Sequence, residues 1–326
     1  MIPSILNNLF EVSAKNFCKL AVQAFQFQYA ENEVYQLFCK ALNIDCNKIS
    51  TIQEIPFLPI SLYKSHKIVS TPFVSATIFE SSGTSQTIPS RHYVRSLSLY
   101  QHSFLKGFIH SYGKPEDWCF LGLLPSYIEK GNSSLVYMVQ GLMNKSRHPS
   151  NGFFLNNYEE LYKTLLQLET DGQRTMLFGV TYALLNFAAQ YSFPCSTTTI
   201  METGGMKGRR KELTRDEVHH ELKKSFGVKE IHSEYGMTEL LSQAYSLGDG
   251  IFNCPPWMKV LVRDDDDPMH IILKGKGAIN IIDLANIYSC CFIATDDVGE
   301  VFDDGSFKIL GRMDNSDVRG CSLLAL

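Results

Sequence analysis

TMLFGVTYALLNFAAQY, residues 175–191, decides the fold. Its first six residues are a short apolar run of strand length. The next eleven space their apolar side chains for a helix. A strand that runs straight into a helix is half of a βαβ unit, and the texture repeats along the chain. WCFLGLLPS (118–126) and TTTIMETGG (197–205) are further apolar runs. SSLVYMVQGLMNK (133–145) and NNYEELYKTLLQLE (156–169) are helical stretches set among them. Strand then helix, repeated, predicts a mostly parallel sheet with helices on both faces.

Working outward, residues 4–42 carry apolar side chains at helical spacing and predict two helices. EIPFLPISLYK (54–64), with its two prolines, reads as a connector. Thr214 and Glu217 form a T-x-x-E capping box that should start a helix over TRDEVHHELKKSFG (214–227), ended by Gly227. After about residue 250 short alternating runs take over: MKVLVRD, MHIILKG, AINIID and GEVFDDGSFKIL, the last with Asp304-Gly305 at a hairpin turn. The expectation is one large α/β domain over 1–326. It would comprise a helical segment (1–50), an α/β body (51–250) and a β-rich part (251–326).

Hydrophobic content of 44% with 20% charge is ordinary for a globular chain and argues against wholesale disorder. Thirty basic against 34 acidic residues leave no positive surplus for phosphate neutralisation, so nucleic acid is not expected as the main partner. No apolar run reaches the roughly 18 residues of a membrane span, and the N-terminus lacks the features of a signal peptide. The nine cysteines include no CxxC pair and read as reduced thiols, which makes a cytoplasmic protein the expectation.

FESSGTSQ (79–86) is a different kind of segment. Ser81, Ser82, Thr84, Ser85 and Thr87 surround Gly83. As a loop between a strand and a helix it would offer hydroxyls and free backbone N–H groups to an anion. It lacks the lysine of a Walker A loop, and taken alone a solvated Ser/Thr turn is the better reading.

Four further segments follow in order: METGGMKGRRKE (201–212), HSEYGMTELLSQAYS (232–246), ATDDVGEV (294–301) and LGRMDNSDVRGCSL (310–323). This series resembles the adenylate-forming enzymes, the superfamily of acyl-CoA synthetases and luciferases. Within it the likeness is to the acyl-protein synthetases of bacterial luminescence, the long-chain-fatty-acid ligase component. Ser82-Gly83-Thr84-Ser85 resembles the superfamily's phosphate loop and Tyr235-Gly236-Met237-Thr238-Glu239 its Y-G-x-T-E motif. Thr295-Asp296-Asp297 approximates T-G-D, and Gly311-Arg312-Met313-Asp314 matches G-R-x-D.

The resemblance implies ATP and Mg2+ as cofactors and a carboxylic acid, most naturally a fatty acid, as substrate. Ser82, Gly83, Thr84 and Ser85 would hold the β- and γ-phosphates, with Thr84 and Glu239 at the metal. Thr238 would donate to the α-phosphate, and Tyr235, beside Gly236, would stack on adenine. Gly204 and Gly205 would let backbone approach the base, Asp297 would accept from the ribose, and Arg312 would meet phosphate or ribose. Lys207, Arg209, Arg210 and Lys211 read as a solvated face, and His219, His220 and His232 show no metal spacing.

Two departures from the superfamily stand out. Its members continue beyond G-R-x-D into a small lid domain that supplies a lysine. This chain stops at Leu326, so that lid is expected to be absent, leaving Arg312, Arg319 or Lys207 as substitute cations. The phosphate loop also lacks its second glycine and its lysine, and Arg91 is the nearest cation. Acyl-protein synthetases are similarly short and carry an acyl-accepting cysteine near the C-terminus. Cys321, in Arg319-Gly320-Cys321-Ser322, stands where that residue would; an adjacent arginine favours the thiolate. The expected activity is formation of acyl-AMP, then acyl transfer to Cys321 and on to a partner such as an acyl reductase. The alternatives are a ligase using a free thiol such as coenzyme A, and a non-catalytic nucleotide- or acyl-adenylate-binding subunit.

Overall fold

The computed structural model describes residues 6, 9–81, 88–124, 132–155, 157–204, 213–264, 267 and 269–313. Helices α1 (Phe17–Glu31) and α2 (Glu33–Ala41) open the fold. Within the helical pattern read from residue 4, Leu9–Glu11 is a 3-10 turn. Asn32 divides the two helices because its side chain caps α2, accepting from the Tyr35 N–H at 3.1 Å.

The body alternates as expected: α3 (Leu97–Tyr112), β4 (Cys119–Leu123), α4 (Ser134–Ser146), β5 (Gly152–Phe153), α5 (Tyr158–Thr170), β6 (Thr175–Val180), α6 (Thr181–Gln190), β7 (Thr198–Thr203), α7 (Arg215–Phe226) and β8 (His232–Tyr235). Strands β5, β4, β6, β7 and β8 are parallel in that spatial order. Every residue of β6 is buried, as a strand covered on both faces requires. The Thr214–Glu217 capping box forms, and Gly227 ends α7 in the left-handed region.

Beyond β8 the sheet continues without a break but turns antiparallel. Strands β9 (Ala244–Ser246), β10 (Phe252–Asn253), β15 (Phe307–Arg312), β14 (Phe292–Val301), β13 (Gly275–Asp283), β11 (Met258–Arg263) and β12 (Ile271–Ile272) follow in space. A short β1 (Leu58–Pro59) lies parallel to β14. The chain is therefore α/β, with a main sheet that is parallel at one end and antiparallel at the other.

One expectation needs correction. FESSGTSQ does not join a strand of the main sheet to a helix. Strands β2 (Thr77–Glu80) and β3 (Arg91–Val94) pair antiparallel in a separate two-stranded sheet, with residues 82–87 between them. RHYV alternates exposed and buried side chains, Arg91 out and His92 in, which is strand periodicity. The helix begins only at Leu97, capped by the Ser96 hydroxyl.

Candidate functional site

Strands β7 and β8 end side by side, with Thr203 opposite Glu234. Beyond β7, Gly204 takes φ +70°, a conformation that costs glycine nothing, and its carbonyl accepts from the Thr181 hydroxyl at 2.8 Å. At the end of β8 the buried Tyr235 donates its hydroxyl to Asp297 Oδ2 at 2.7 Å. Its ring packs edge-on against Phe307 at 5.4 Å and tilted against Phe252 at 5.8 Å. Burial, then the charge of Asp297, raises the Tyr235 phenol well above its usual range, so it stays a neutral donor.

Asp297 lies on β14 directly opposite Arg312 on β15, and Arg312 Nε donates to Asp297 Oδ1 at 3.1 Å. The Asp297 side chain is 11% exposed and that of Arg312 75%, so the guanidinium stays open to a ligand while one edge grips the carboxylate. Each Asp297 oxygen uses one of its lone pairs here and keeps another for an incoming hydroxyl.

After Tyr235 the chain runs without regular structure through Thr238 and Glu239. A Cβ at Gly236 would meet Glu234 Oε1, so a larger residue there would make the Glu234 carboxylate shift. Thr238 is half-buried and Glu239 is 5% exposed. Burial pushes the Glu239 carboxyl up, while Ser90, Arg312 and Lys64 pull the other way. His92, on β3, sets its ring Nδ1 2.8 Å from the Thr238 carbonyl, and Asn286 donates Nδ2 to the Glu239 carbonyl at 2.6 Å. The base of the hairpin is closed by the Ser90 N–H on the Ser81 hydroxyl at 2.9 Å. Thr238 and Glu239 therefore sit against the root of the segment that holds residues 82–87.

Two more carboxylates lie beneath the strand ends. Glu234 accepts from the Thr203 hydroxyl at 2.5 Å. Burial, reinforced by neighbouring Glu202, pushes it up to about 7. Burial also opposes the charge on Glu202, but His219, with Nε2 at 4.0 Å, together with Arg215 and Thr181 holds that carboxyl below its usual range.

A folded Glu234 that keeps its proton up to about 7 binds it more tightly than an unfolded one. The stability this contributes is therefore full at low pH and is lost as pH rises toward 7. Relative to Glu234→Gln, the native chain should lose on the order of 3 kcal/mol between about pH 4.5 and about pH 8. Denaturant titrations of both proteins across that range read the difference; parallel curves would contradict it.

Of the residues singled out from the sequence, Tyr235, Asp297 and Arg312 form one hydrogen-bonded chain. Glu239 lies within the field of Arg312, and Gly204 ends the strand next to β8. Ser82, Gly83, Thr84, Ser85, Gly205, Lys207, Arg209, Arg210, Lys211, Asp314, Arg319 and Cys321 lie outside the described residues. Reading the sequence missed Ser90, His92, Asp283, Asn286 and Glu234. Only Asp283, at the end of AINIID, and Glu234, in HSEYG, fell inside quoted segments, and no spacing rule marks either. Among the described residues no three His, Cys, Asp or Glu side chains converge as a metal cluster, and no helix is long and apolar enough to cross a membrane.

The profile of the acyl-protein synthetase family, LuxE, matches residues 8–325. The long-chain-fatty-acid–luciferin-component ligase of Vibrio harveyi is 22% identical over 333 residues, spanning 94% of this chain and 86% of the relative. The corresponding ligase of Aliivibrio fischeri is 21% identical over 332 residues, with the same coverage of each chain. Among solved structures, 2-hydroxyisobutyryl-CoA ligase with 2-HIB-AMP and CoA superposes with a TM-score of 0.65 at 11% identity, over 95% of this chain and 71% of that one. ATP-bound MatB from Rhodopseudomonas palustris gives 0.54 at 16% identity, over 85% of this chain. The chain spans only about half (52%) of MatB, and at these identities the structural likeness speaks for the fold.

Proposed function

The chain belongs to the acyl-protein synthetase family, LuxE, and we propose that it activates a carboxylic acid with ATP and then carries the acyl group on its own cysteine. In the first step a carboxylate oxygen attacks the α-phosphorus, the bond to the bridging β-phosphate oxygen breaks, and pyrophosphate leaves. In the second, the Cys321 thiolate attacks the acyl carbonyl and AMP departs, its proton having gone to solvent. The names of the relatives from Vibrio harveyi and Aliivibrio fischeri support a long-chain fatty acid as the substrate. Transfer from Cys321 to an acyl-accepting protein would complete the cycle.

The observation that carries this reading is the contiguous set Tyr235–Asp297–Arg312 next to Thr238–Glu239, against the β2–β3 pair. Asp297 would take the ribose hydroxyls on its free lone pairs, with Tyr235 and Arg312 fixing its plane. Arg312, open on its outer edge, would meet phosphate, with Lys64 as a second cation in range of Glu239. Thr238 would donate to the α-phosphate, and Ser82, Gly83, Thr84 and Ser85 would receive the β,γ-phosphates. Gly204 and Gly205 would border the adenine. Adenylation is largely positioning and charge neutralisation, which this set suits.

Mg2+ takes one or two protein carboxylates and otherwise phosphate oxygens and water, so a lone buried Glu239, helped by Thr84, fits it better than an all-protein cage would. When bound it would neutralise the charge of the departing pyrophosphate.

The chain incubated with ATP, Mg2+ and a long-chain fatty acid should yield acyl-AMP and an acylated protein. Cys321→Ser should keep the first and lose the second. An acylated Cys321→Ser protein would move the thioester elsewhere, and full turnover of that variant with coenzyme A would favour a free-thiol ligase. Absence of acyl-AMP with every acid would sink the reading.

A further inference from the structure

Two consecutive peptide carbonyls, those of Thr238 and Glu239, are each held by a side chain from a distant part of the chain. His92 Nδ1 meets the first at 2.8 Å and Asn286 Nδ2 the second at 2.6 Å. A carbonyl oxygen only accepts, so the His92 proton resides on Nδ1. We propose that His92 and Asn286 are positioning residues that clamp Thr238 and Glu239 between strand β3 and the buried turn at 283–291, fixing where the Thr238 hydroxyl and the Glu239 carboxylate stand. The inference rests on the adenylation reading above and adds to it.

Residues 236–243 have no helical or strand ladder to fix their path, so side chains must supply the partners that buried backbone groups need. Asp283 continues what His92 and Asn286 begin. Its carboxylate accepts from the N–H groups of Leu241 at 2.8 Å and Ser242 at 3.0 Å, and from the Ser242 hydroxyl at 2.6 Å. His92 is 1% exposed, and Asp283 and Asn286 are fully buried.

The turn that presents Asn286 is itself anchored. Gln28, from α1, donates to the carbonyls of Asn286, Ile287 and Ser289 at 3.2, 3.0 and 3.2 Å and accepts from the Cys291 N–H at 2.9 Å. Asn32 adds a bond to the Ser289 carbonyl at 2.9 Å. A buried polar chain therefore runs from the N-terminal helices through the 283–291 turn to Thr238–Glu239, and from there to β3. His92 ties that chain to β3, and its ring lies edge-on to Tyr63 at 6.1 Å. Burial holds the imidazole down at about 4, against the pull of the Thr238 carbonyl and the Asn286 amide. Neutral and buried, it acts by one directed N–H rather than by charge.

A hydrophobic replacement fills the space but leaves the Thr238 carbonyl free to move, and a displacement of about 1 Å at a reacting centre costs roughly 10²-fold in rate. His92→Leu is therefore expected to lower the kcat of carboxylate-dependent pyrophosphate exchange by roughly 10²-fold, with the KM for the acid little changed. His92→Asn, whose amide N–H can stand close to where Nδ1 stood, should recover most of that loss. In the unmutated protein, long-range 1H–15N spectra should show His92 as the neutral Nδ1–H tautomer at neutral pH, a readout that does not depend on any variant folding.

A Nε2–H tautomer, an unimpaired His92→Leu, or Leu and Asn variants equally impaired would each overturn the clamp while leaving adenylation standing. Absence of exchange in the unmutated chain with every acid would remove the adenylation reading and the clamp together.

Discussion

Glu239→Gln is expected to lower carboxylate-dependent pyrophosphate exchange by roughly two to three orders of magnitude, the size of effect seen when one preorganised electrostatic partner is lost from a reacting centre. The substitution keeps shape and removes one charge. Glu239 is 5% exposed, and burial already raises its carboxyl, so the folded chain bears a cost for keeping it ionised. Removing that charge should therefore leave thermal stability unchanged or raise it. Lost exchange in a protein at least as stable as the parent separates a functional carboxylate from a structural one. Retained exchange would show that Glu239 neither binds metal nor senses phosphate.

Asp297→Ala carries the second large effect, and it acts on affinity. Asp297 accepts from Tyr235 at 2.7 Å and from Arg312 at 3.1 Å, so its loss frees a buried phenol and an exposed guanidinium at once. An unpaired buried hydroxyl costs about 1–3 kcal/mol of stability. Hydrogen bonds to a charged group contribute about 1.5–3 kcal/mol, so ATP affinity measured calorimetrically should fall by roughly 10- to 100-fold. Tyr235→Phe keeps the ring between Phe252 and Phe307 and should fall by far less. Equal losses in the two variants would mean that Asp297 serves only to hold Tyr235.

Much of this molecule was legible in its sequence because the signals are local. The TMLFGV strand runs over Thr175–Val180 as read, and the Thr214–Glu217 box caps α7 because both partners lie within one turn. The FESSGTSQ segment was given the wrong neighbours: its first residues end β2, and the strand β3 rather than a helix follows. A strand followed by Gly and hydroxyls looks the same whether a helix or a returning strand comes next, and only the alternation of RHYV distinguishes them.

The clamp could not be read at all. His92 lies 146 residues from Thr238, and Asn286 lies 47 from Glu239, separations over which no periodicity or motif operates. Glu234 was visible inside HSEYG, yet its character comes from Glu202 on the adjacent strand and from burial, which only the fold supplies. Asp297 and Arg312 were named separately from two motifs, and the β14–β15 register makes them one unit.

The most direct test of the account is exchange of labelled pyrophosphate into ATP by the unmutated chain, with Mg2+ and acids from acetate to long-chain fatty acids. The account predicts exchange that requires the acid and is strongest with long chains. ATP binding without exchange for any acid would contradict it, and would leave Tyr235, Asp297 and Arg312 as parts of a nucleotide-binding site without adenylating chemistry.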